Sequence, residues 1–414
     1  MATTINYVDR SILGVLGPTL RDHVFNWTNQ QYAFISMSFK VAYALGMLAM
    51  GGVIDRVGNR LGYTLSIGIW SLFGMLHAAI TRSMGWIGFA AVRFGLGWGE
   101  SGNLPACIKT VAEWFPKKER AFVTGLFNAG TNVGAVIAPL FVPLIVKPSG
   151  ENWQFAFLAT GAFSAFWVFL WLRTYAKPEV HPRLSKAELD YILSDSTPEV
   201  KTERLPWHKI LLVKETWGFA ATRLPDAVWY FYLFWGGFFL RDRFGLELRG
   251  LALPLIIIYV FADTGSIAGG WFSSHLIKKG WPVYKARKTA MLICALLILP
   301  VTMATRTDNQ WISVALIALA ASGHQAWAAN MFTLASDIFP KKATASVVGF
   351  GGMVGATVGI IADFTLGTVL DKSGPSGYFW AFLIAGSVYL IVLGVIQVLM
   401  PRMTPLDENL KRVR

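Results

Sequence analysis

The chain has 414 residues, 54% of them hydrophobic, 14% aromatic and only 15% charged, with a formal net charge of +13. A soluble globular domain carries roughly 25% charged residues, so these proportions place the chain in a lipid bilayer; the membrane accounts for the basic balance and nucleic acid is not needed. The two cysteines, Cys107 and Cys294, lie apart inside apolar segments and form neither a disulfide framework nor a metal site.

In chain order, apolar runs fall at 1–24, 31–54, 62–81, 84–108, 121–146, 154–175, 216–240, 250–276, 286–305, 310–334, 344–370 and 377–400. Each of the twelve is long enough to cross a hydrocarbon core of ~30 Å as a helix. Helices are required because lipid offers nothing to the backbone N–H and C=O groups. Met1 to Asn6 has no basic start and no small-residue cleavage site, so no cleavable signal is expected. With the N-terminus inside, the inner loops and tail carry about three times as many Lys and Arg as the outer loops. By the positive-inside rule this predicts two cytoplasmic termini. The long polar stretch near the middle divides the chain into a six-helix bundle over 1–176, a cytoplasmic linker over 177–215, a second bundle over 216–400 and a tail over 401–414.

The halves repeat. Gly99-Glu100 through Glu113-Trp114-Phe115-Pro116-Lys117-Lys118 resembles Gly323-His324 through Asp337-Ile338-Phe339-Pro340-Lys341-Lys342 at a constant offset, and Gly125 then falls opposite Gly349. Gly51-Gly52 echoes Gly269-Gly270. Duplicated six-helix halves are a transporter architecture that carries its substrate site near the midplane.

The exit of the second span reads Gly51-Gly52-Val53-Ile54-Asp55-Arg56-Val57-Gly58-Asn59-Arg60. It resembles the G-x-x-x-D-R-x-G-x-R/K signature of the major facilitator superfamily. The fold implied is all-α, twelve helices in two pseudo-symmetric bundles. Gly51 and Gly58 permit close packing and a tight turn. Asp55 can pair with a cation or cap a helix N-terminus. Together with Arg56 and Arg60 they form a candidate conformational latch. The second half has Ser273-Ser274 and Lys278-Lys279 instead. Glycines at four-residue spacing in span five (Gly130, Gly134) and span eleven (Gly351, Gly355, Gly359) predict close helix approach.

Charges inside the spans cost ~2.5–3.5 kcal/mol each on insertion scales. The first half holds Asp9, Arg10, Lys40, Arg93, Glu100 and Lys109; the second holds Arg223, Asp226, Asp263, Asp363 and His324. The concentration in the first half suggests that ion coupling resides there. Arg93 and Glu100 are seven apart, almost on one helix face, and read as an acid beside an arginine, ionised until the pair is broken; a permanent structural salt bridge is the alternative. Asp9 and Arg10 are neighbours pointing about 100° apart, so one can face a cavity while the other meets a helix. Arg10 offers a planar fork for a carboxylate. Lys40, three residues before Tyr43, is a second candidate cation. Asn128, Asn132 and Gln325 supply amides and Trp327 a flat apolar wall; interhelical hydrogen bonding is the alternative for the polar ones. His324, opposite Glu100 in the repeat, is a further candidate, with a buried neutral role as its alternative.

Asn6-Tyr7-Val8-Asp9-Arg10, Arg93 with Glu100, Glu113-Trp114-Phe115-Pro116 followed by Lys118-Glu119-Arg120, and Gly323-His324-Gln325-Ala326 together resemble the anion:cation symporter family, in particular its bacterial hexuronate and galactonate transporters. The resemblance spans the chain. It implies import of a sugar-acid anion with protons across the inner membrane, by alternating access and without a cofactor. It also implies that Asp9 and Glu100 carry protons, Arg10 holds the anion, and Tyr7, Tyr43 and Trp327 line the sugar. A monomer is expected, with substrate, protons and bilayer as its only partners. Three alternatives remain: a dicarboxylate or aromatic acid on the same fold, against which amides outnumbering extra cations argue; a proton-driven exporter of cations, against which the buried arginines argue; and a membrane enzyme, for which no metal-ligand spacing or nucleophile–base set exists.

Overall fold

The computed structural model describes residues 1–194, 206–407 and 409–412, apart from the side chains of 117, 118, 120–122, 124–129, 132, 336, 341, 342 and 345. Among these residues the only β-type pairing is an isolated bridge between Leu406 and Arg412. Two compact units divide the chain: Met1–Val200 with Glu247–Ala252, and Lys201–Leu246 with Leu253–Arg414.

In the first unit, span one is α1 (Ala2–Thr19), prolonged by a π-helical turn over Leu20–Phe25. Spans two and three are α2 (Asn29–Val57) and α3 (Asn59–Leu76). Span four is α4 (Gly85–Glu100) followed by α5 (Asn103–Trp114). Spans five and six are α6 (Lys117–Ile145) and α7 (Trp153–Thr174), and α8 (Lys186–Leu193) lies in the linker. Thr28 caps α2 with a full capping box, its hydroxyl accepting from Gln31 N while the Gln31 side chain accepts from Thr28 N. Gly58 joins α2 to α3 at a φ of +83°, a conformation costly for any other residue.

The second unit begins with α9 (Trp207–Leu211). Span seven is α10 (Lys214–Ala221) with α11 (Asp226–Phe244). Spans eight to twelve are α12 (Leu248–Lys278), α13 (Val283–Ile298), α14 (Gln310–Ile338), α15 (Lys341–Ser373) and α16 (Tyr378–Leu399). Seven helical stretches of the described residues are long and apolar enough to cross a membrane by length and composition, one of them running from Ser346 to Leu399 through both α15 and α16. Leu48, Leu144, Ile267 and Val398 are more than three-quarters exposed, which water would penalise and lipid does not.

Two of the apolar runs are broken helices. Run 84–108 stops at Glu100 and resumes at Asn103. Pro105 has no N–H to offer the Ser101 carbonyl, and the chain tightens into a turn with Gly102 N on Gly99 O. The repeat partner, Ala329, carries an N–H, and α14 is continuous there. Run 216–240 breaks over Thr222–Pro225, where successive N–H groups reach back three residues until Pro225 interrupts.

Helices of the first unit meet through glycine. A Cβ on Gly134 of α6 would lie 2.4 Å from the Thr4 carbonyl of α1, and one on Gly97 of α4 would lie 2.5 Å from the Phe39 carbonyl of α2. Gly97→Ala is therefore expected to destabilise by about 1–3 kcal/mol, as overpacked sites do. Gly394→Ala, whose Cβ meets nothing within 4 Å, should hold or raise stability, since alanine is the better helix former. Thermal unfolding of the purified variants separates the two; equal midpoints would contradict the close approach at Gly97.

Two aromatic layers bracket the interior of this unit. At one end Phe25 stacks on Trp27 at 4.7 Å, His77 stacks on Phe157 at 4.7 Å, and Phe89 and Trp153 pack edgewise among them. At the other end Trp171 stacks on Tyr175 at 3.9 Å beside Tyr63. The buried charges belong to the helices that run between these layers.

Candidate functional site

The centre of the first unit is a cluster of ionisable side chains cut off from solvent. Asp9 and Arg10 are 3% exposed, and Arg93 and Glu100 are fully buried; Lys40, on α2, is likewise buried. Arg10 donates from Nε at 3.1 Å and from Nη2 at 2.9 Å, both bonds ending on the same Glu100 oxygen, Oε2. Asp9 Oδ2 accepts from Ser164 Oγ at 3.0 Å, and among the described residues no donor meets the hydrogen-bond geometry at Glu100 Oε1 or Asp9 Oδ1. Three rings surround the Arg10 guanidinium: Tyr7 at 4.7 Å, Tyr43 at 4.7 Å and Phe39 at 5.1 Å. Such rings attract a cation through their faces and leave its edge to an anion.

Arg93 does not pair with Glu100, as spacing along one helix suggests. Its Nη2 donates to Arg10 O at 2.9 Å and its Nη1 reaches Asp9 O at 3.5 Å, with its Cζ 4.9 Å from the Phe39 ring. The acid's partner comes from α1 instead, and Arg93 holds the backbone that carries Asp9 and Arg10. Asp9 and Glu100 match Arg10 and Arg93 in number, and buried ions are tolerated only when paired, so an anion that enters needs a proton with it.

Asn128 and Asn132 have side chains outside the described residues. Gln325 is half-buried on α14 in the second unit. His324, also on α14, shares a 2.6 Å hydrogen bond between Nδ1 and Tyr389 OH and stacks on Trp229 at 5.7 Å. Trp327 donates from Nε1 to Thr222 O at 3.2 Å, so it helps satisfy the break in span seven. The position opposite Glu100 is thus packed among aromatic rings. The charges of the second unit pair elsewhere: Arg223 with Asp226 at 2.7 Å, Arg287 with Asp337 at 3.2 Å, and Asp363 with Trp235 Nε1 at 3.1 Å.

The latch residues sit at one end of the first unit. Asp55 accepts from Lys109 Nζ at 2.8 Å, and the same ammonium holds Ile54 O at 3.2 Å. Asp55 is 73% exposed, so the pair is worth at most ~1 kcal/mol. Arg60 donates to Leu172 O, tying α3 to α7. Arg56 is exposed, and a Cβ on Gly51 would meet nothing within 4 Å. Asn59, absent from the sequence candidates, is the better connected residue: its Nδ2 reaches Thr110 Oγ1 at 2.8 Å, Tyr175 OH at 3.1 Å and Glu113 Oε2 at 3.3 Å.

Phe39, Ser164, Trp229 and Tyr389 were also missed as site residues. Phe39 is legible in hindsight, since it stands one turn before Tyr43 and stacks on it at 5.9 Å. Nothing local distinguishes Ser164 from the other serines of the chain.

A bundle of apolar helices in two units, one of them enclosing a cluster of buried ions, is the architecture of a multi-pass membrane transporter. The chain belongs to the Major Facilitator Superfamily, whose family model matches residues 1–363. It is similar to a hexuronate transporter of Escherichia coli strain K12, at 30% identity over 92% of this chain and 88% of that one. A galacturonate transporter of Dickeya chrysanthemi is 32% identical over 78% of this chain and 93% of its own length. In fold it is similar to a bacterial homologue of the human lysosomal transporter Spinster, with a TM-score of 0.77 at 15% identity over 97% of this chain and 95% of that one.

Proposed function

We propose that this protein is a proton-coupled symporter that imports a sugar-acid anion, a hexuronate such as galacturonate or glucuronate, or an aldonate, by alternating access across the inner membrane, with both termini cytoplasmic and the proton gradient as its only energy source. The observation that carries this reading is the attachment of Arg10 to a single oxygen of Glu100 inside a wall of two tyrosines and a phenylalanine. A proton on Glu100 removes the charge that holds the guanidinium. Arg10 is then a buried cation whose best remaining partner is a carboxylate from outside, and a planar fork is built for one. Tyr7 and Tyr43, each half-buried, bring hydroxyls and flat faces to a polyhydroxylated ring. Proton and anion enter together because either alone leaves a net charge in a low-dielectric interior.

Asp9 is the second proton carrier in this proposal. Ser164 donates to one of its oxygens. The names of the relatives at about 30% identity support the sugar-acid class.

The test is uptake of radiolabelled galacturonate by proteoliposomes. An imposed inward proton gradient should drive accumulation above equilibrium, and a protonophore should collapse it. Accumulation indifferent to the gradient overturns the coupling. Failure of every sugar acid to compete for uptake overturns the substrate class.

A further inference from the structure

We infer that the outer face of the second unit carries a built site for an anionic glycerophospholipid, independent of the transport site. A groove of about 370 Å³ runs where α13 packs against α16, lined by Lys288, Thr289, Leu292, Leu390, Leu393, Gly394 and Gln397. Its chemistry changes along its length. Leu292, Leu390, Leu393 and Gly394 form an apolar trough. Lys288 and Gln397 form a polar mouth at the end where α13 begins and α16 finishes. From Leu390 to Gln397 the trough follows α16 for about 10 Å at the helical rise. Gly394 sets its floor: a Cβ there meets nothing within 4 Å, so the space above it is open.

Lys288 gives the mouth its sign. Its ammonium donates to Gln397 Oε1 at 2.6 Å and to Pro401 O at 2.8 Å. Both acceptors are neutral, so among the described residues the charge has no carboxylate, and a lysine has three donors. The charge is reinforced by Lys285, exposed one turn earlier on α13, and by Arg402, exposed just after the carbonyl that Lys288 holds. The charge bias of the loops assigns this end to the cytoplasmic leaflet. A cationic mouth on an acyl-sized apolar trough complements a phosphodiester with its chain attached, and basic pockets between spans on the cytoplasmic side bind such headgroups. A soluble phosphate would use the mouth and have no use for the trough.

Native mass spectrometry of the full chain, released from detergent after titration with palmitoyl-oleoyl phosphatidylglycerol or the matching phosphatidylcholine, tests this. The wild type should retain phosphatidylglycerol about fivefold better, the preference one interfacial lysine supplies. Lys288→Gln should erase the preference, and Lys288→Arg should keep it. Gly394→Leu, whose Cβ has open space and whose side chain occupies the trough, should lower retention of both lipids. Equal retention of the two lipids by the wild type overturns the site. So does unchanged phosphatidylglycerol retention in both Lys288→Gln and Gly394→Leu, or displacement of the lipid by soluble glycerol phosphate. These residues belong to the second unit and the Arg10 cluster to the first, so uptake driven by a proton gradient reports separately on the transport proposal.

Discussion

Glu100→Gln is expected to abolish gradient-driven uptake of galacturonate while leaving exchange of internal for external substrate close to the wild-type rate. Glutamine has the shape of protonated glutamate and keeps an oxygen for Arg10, but it cannot give up a proton. The variant is therefore fixed in the state that binds the anion. Exchange needs only that the loaded protein reorient. Net uptake also needs the empty protein to return, and the proposal has it return with Glu100 ionised on Arg10. An Arg10 fork without a charged partner would stall that step, because the pair as built has both members almost wholly buried and a lone buried charge is strongly penalised. Accumulation should fall to the level seen without a gradient, a loss of on the order of 10²-fold if the missing charge-assisted bond is worth about 3 kcal/mol. The measurement is paired: uptake under an imposed gradient and counterflow at equal pH in the same vesicles. Survival of both would remove Glu100 from the proton path. Loss of both, with a normal melting profile, would make it a substrate ligand.

The fold was legible because a bilayer leaves few choices. Any run of apolar residues of the right length must be helical, so the spans could be counted. The breaks were harder to see. Pro105 and Pro225 are visible in the sequence, yet each lies inside or beside an apolar run that hydropathy alone reads as continuous. The site divides in the same way. Asp9, Arg10, Lys40, Arg93 and Glu100 stood out because charge in lipid is rare; all five are buried, and Asp9, Arg10, Arg93 and Glu100 lie in one cluster. Their partnerships were not legible. Spacing along α4 put Arg93 with Glu100, whereas the acid is met by Arg10 from a helix ninety positions away in sequence. Spacing reports only neighbours on one helix, and a pairing between helices depends on packing that the glycine at 97 and the aromatic ring at 39 decide together. The repeat suggested an ionisable counterpart to Glu100 at His324. The internal symmetry carries the backbone but not the chemistry, for Tyr389 and Trp229 surround that histidine with neutral groups.

Substitutions at Arg10 separate the two duties assigned to it, folding and anion binding. Arg10→Gln leaves the Glu100 carboxylate buried with no cation bonded to it. Breaking a buried pair from one side costs about 3–5 kcal/mol, and the unfolding midpoint of the purified protein should fall accordingly. Adding Glu100→Gln removes the uncompensated charge, so the double variant should recover most of that loss, while galacturonate binding stays absent in both. A double-mutant cycle in which the two losses simply add would mean that the pair does not stabilise the ionised state. Arg10→Lys isolates the second duty. Lysine preserves the charge, so Arg10→Lys should be less destabilised than Arg10→Gln. It loses the planar fork and the stacking between Tyr7 and Tyr43, which lie at 4.7 Å on either count. A charged hydrogen bond is worth about 1.5–3 kcal/mol, so galacturonate affinity by isothermal titration should weaken on the order of 10- to 100-fold. Wild-type affinity in Arg10→Lys would mean that a point charge suffices at this position and that the planar fork is not what holds the carboxylate.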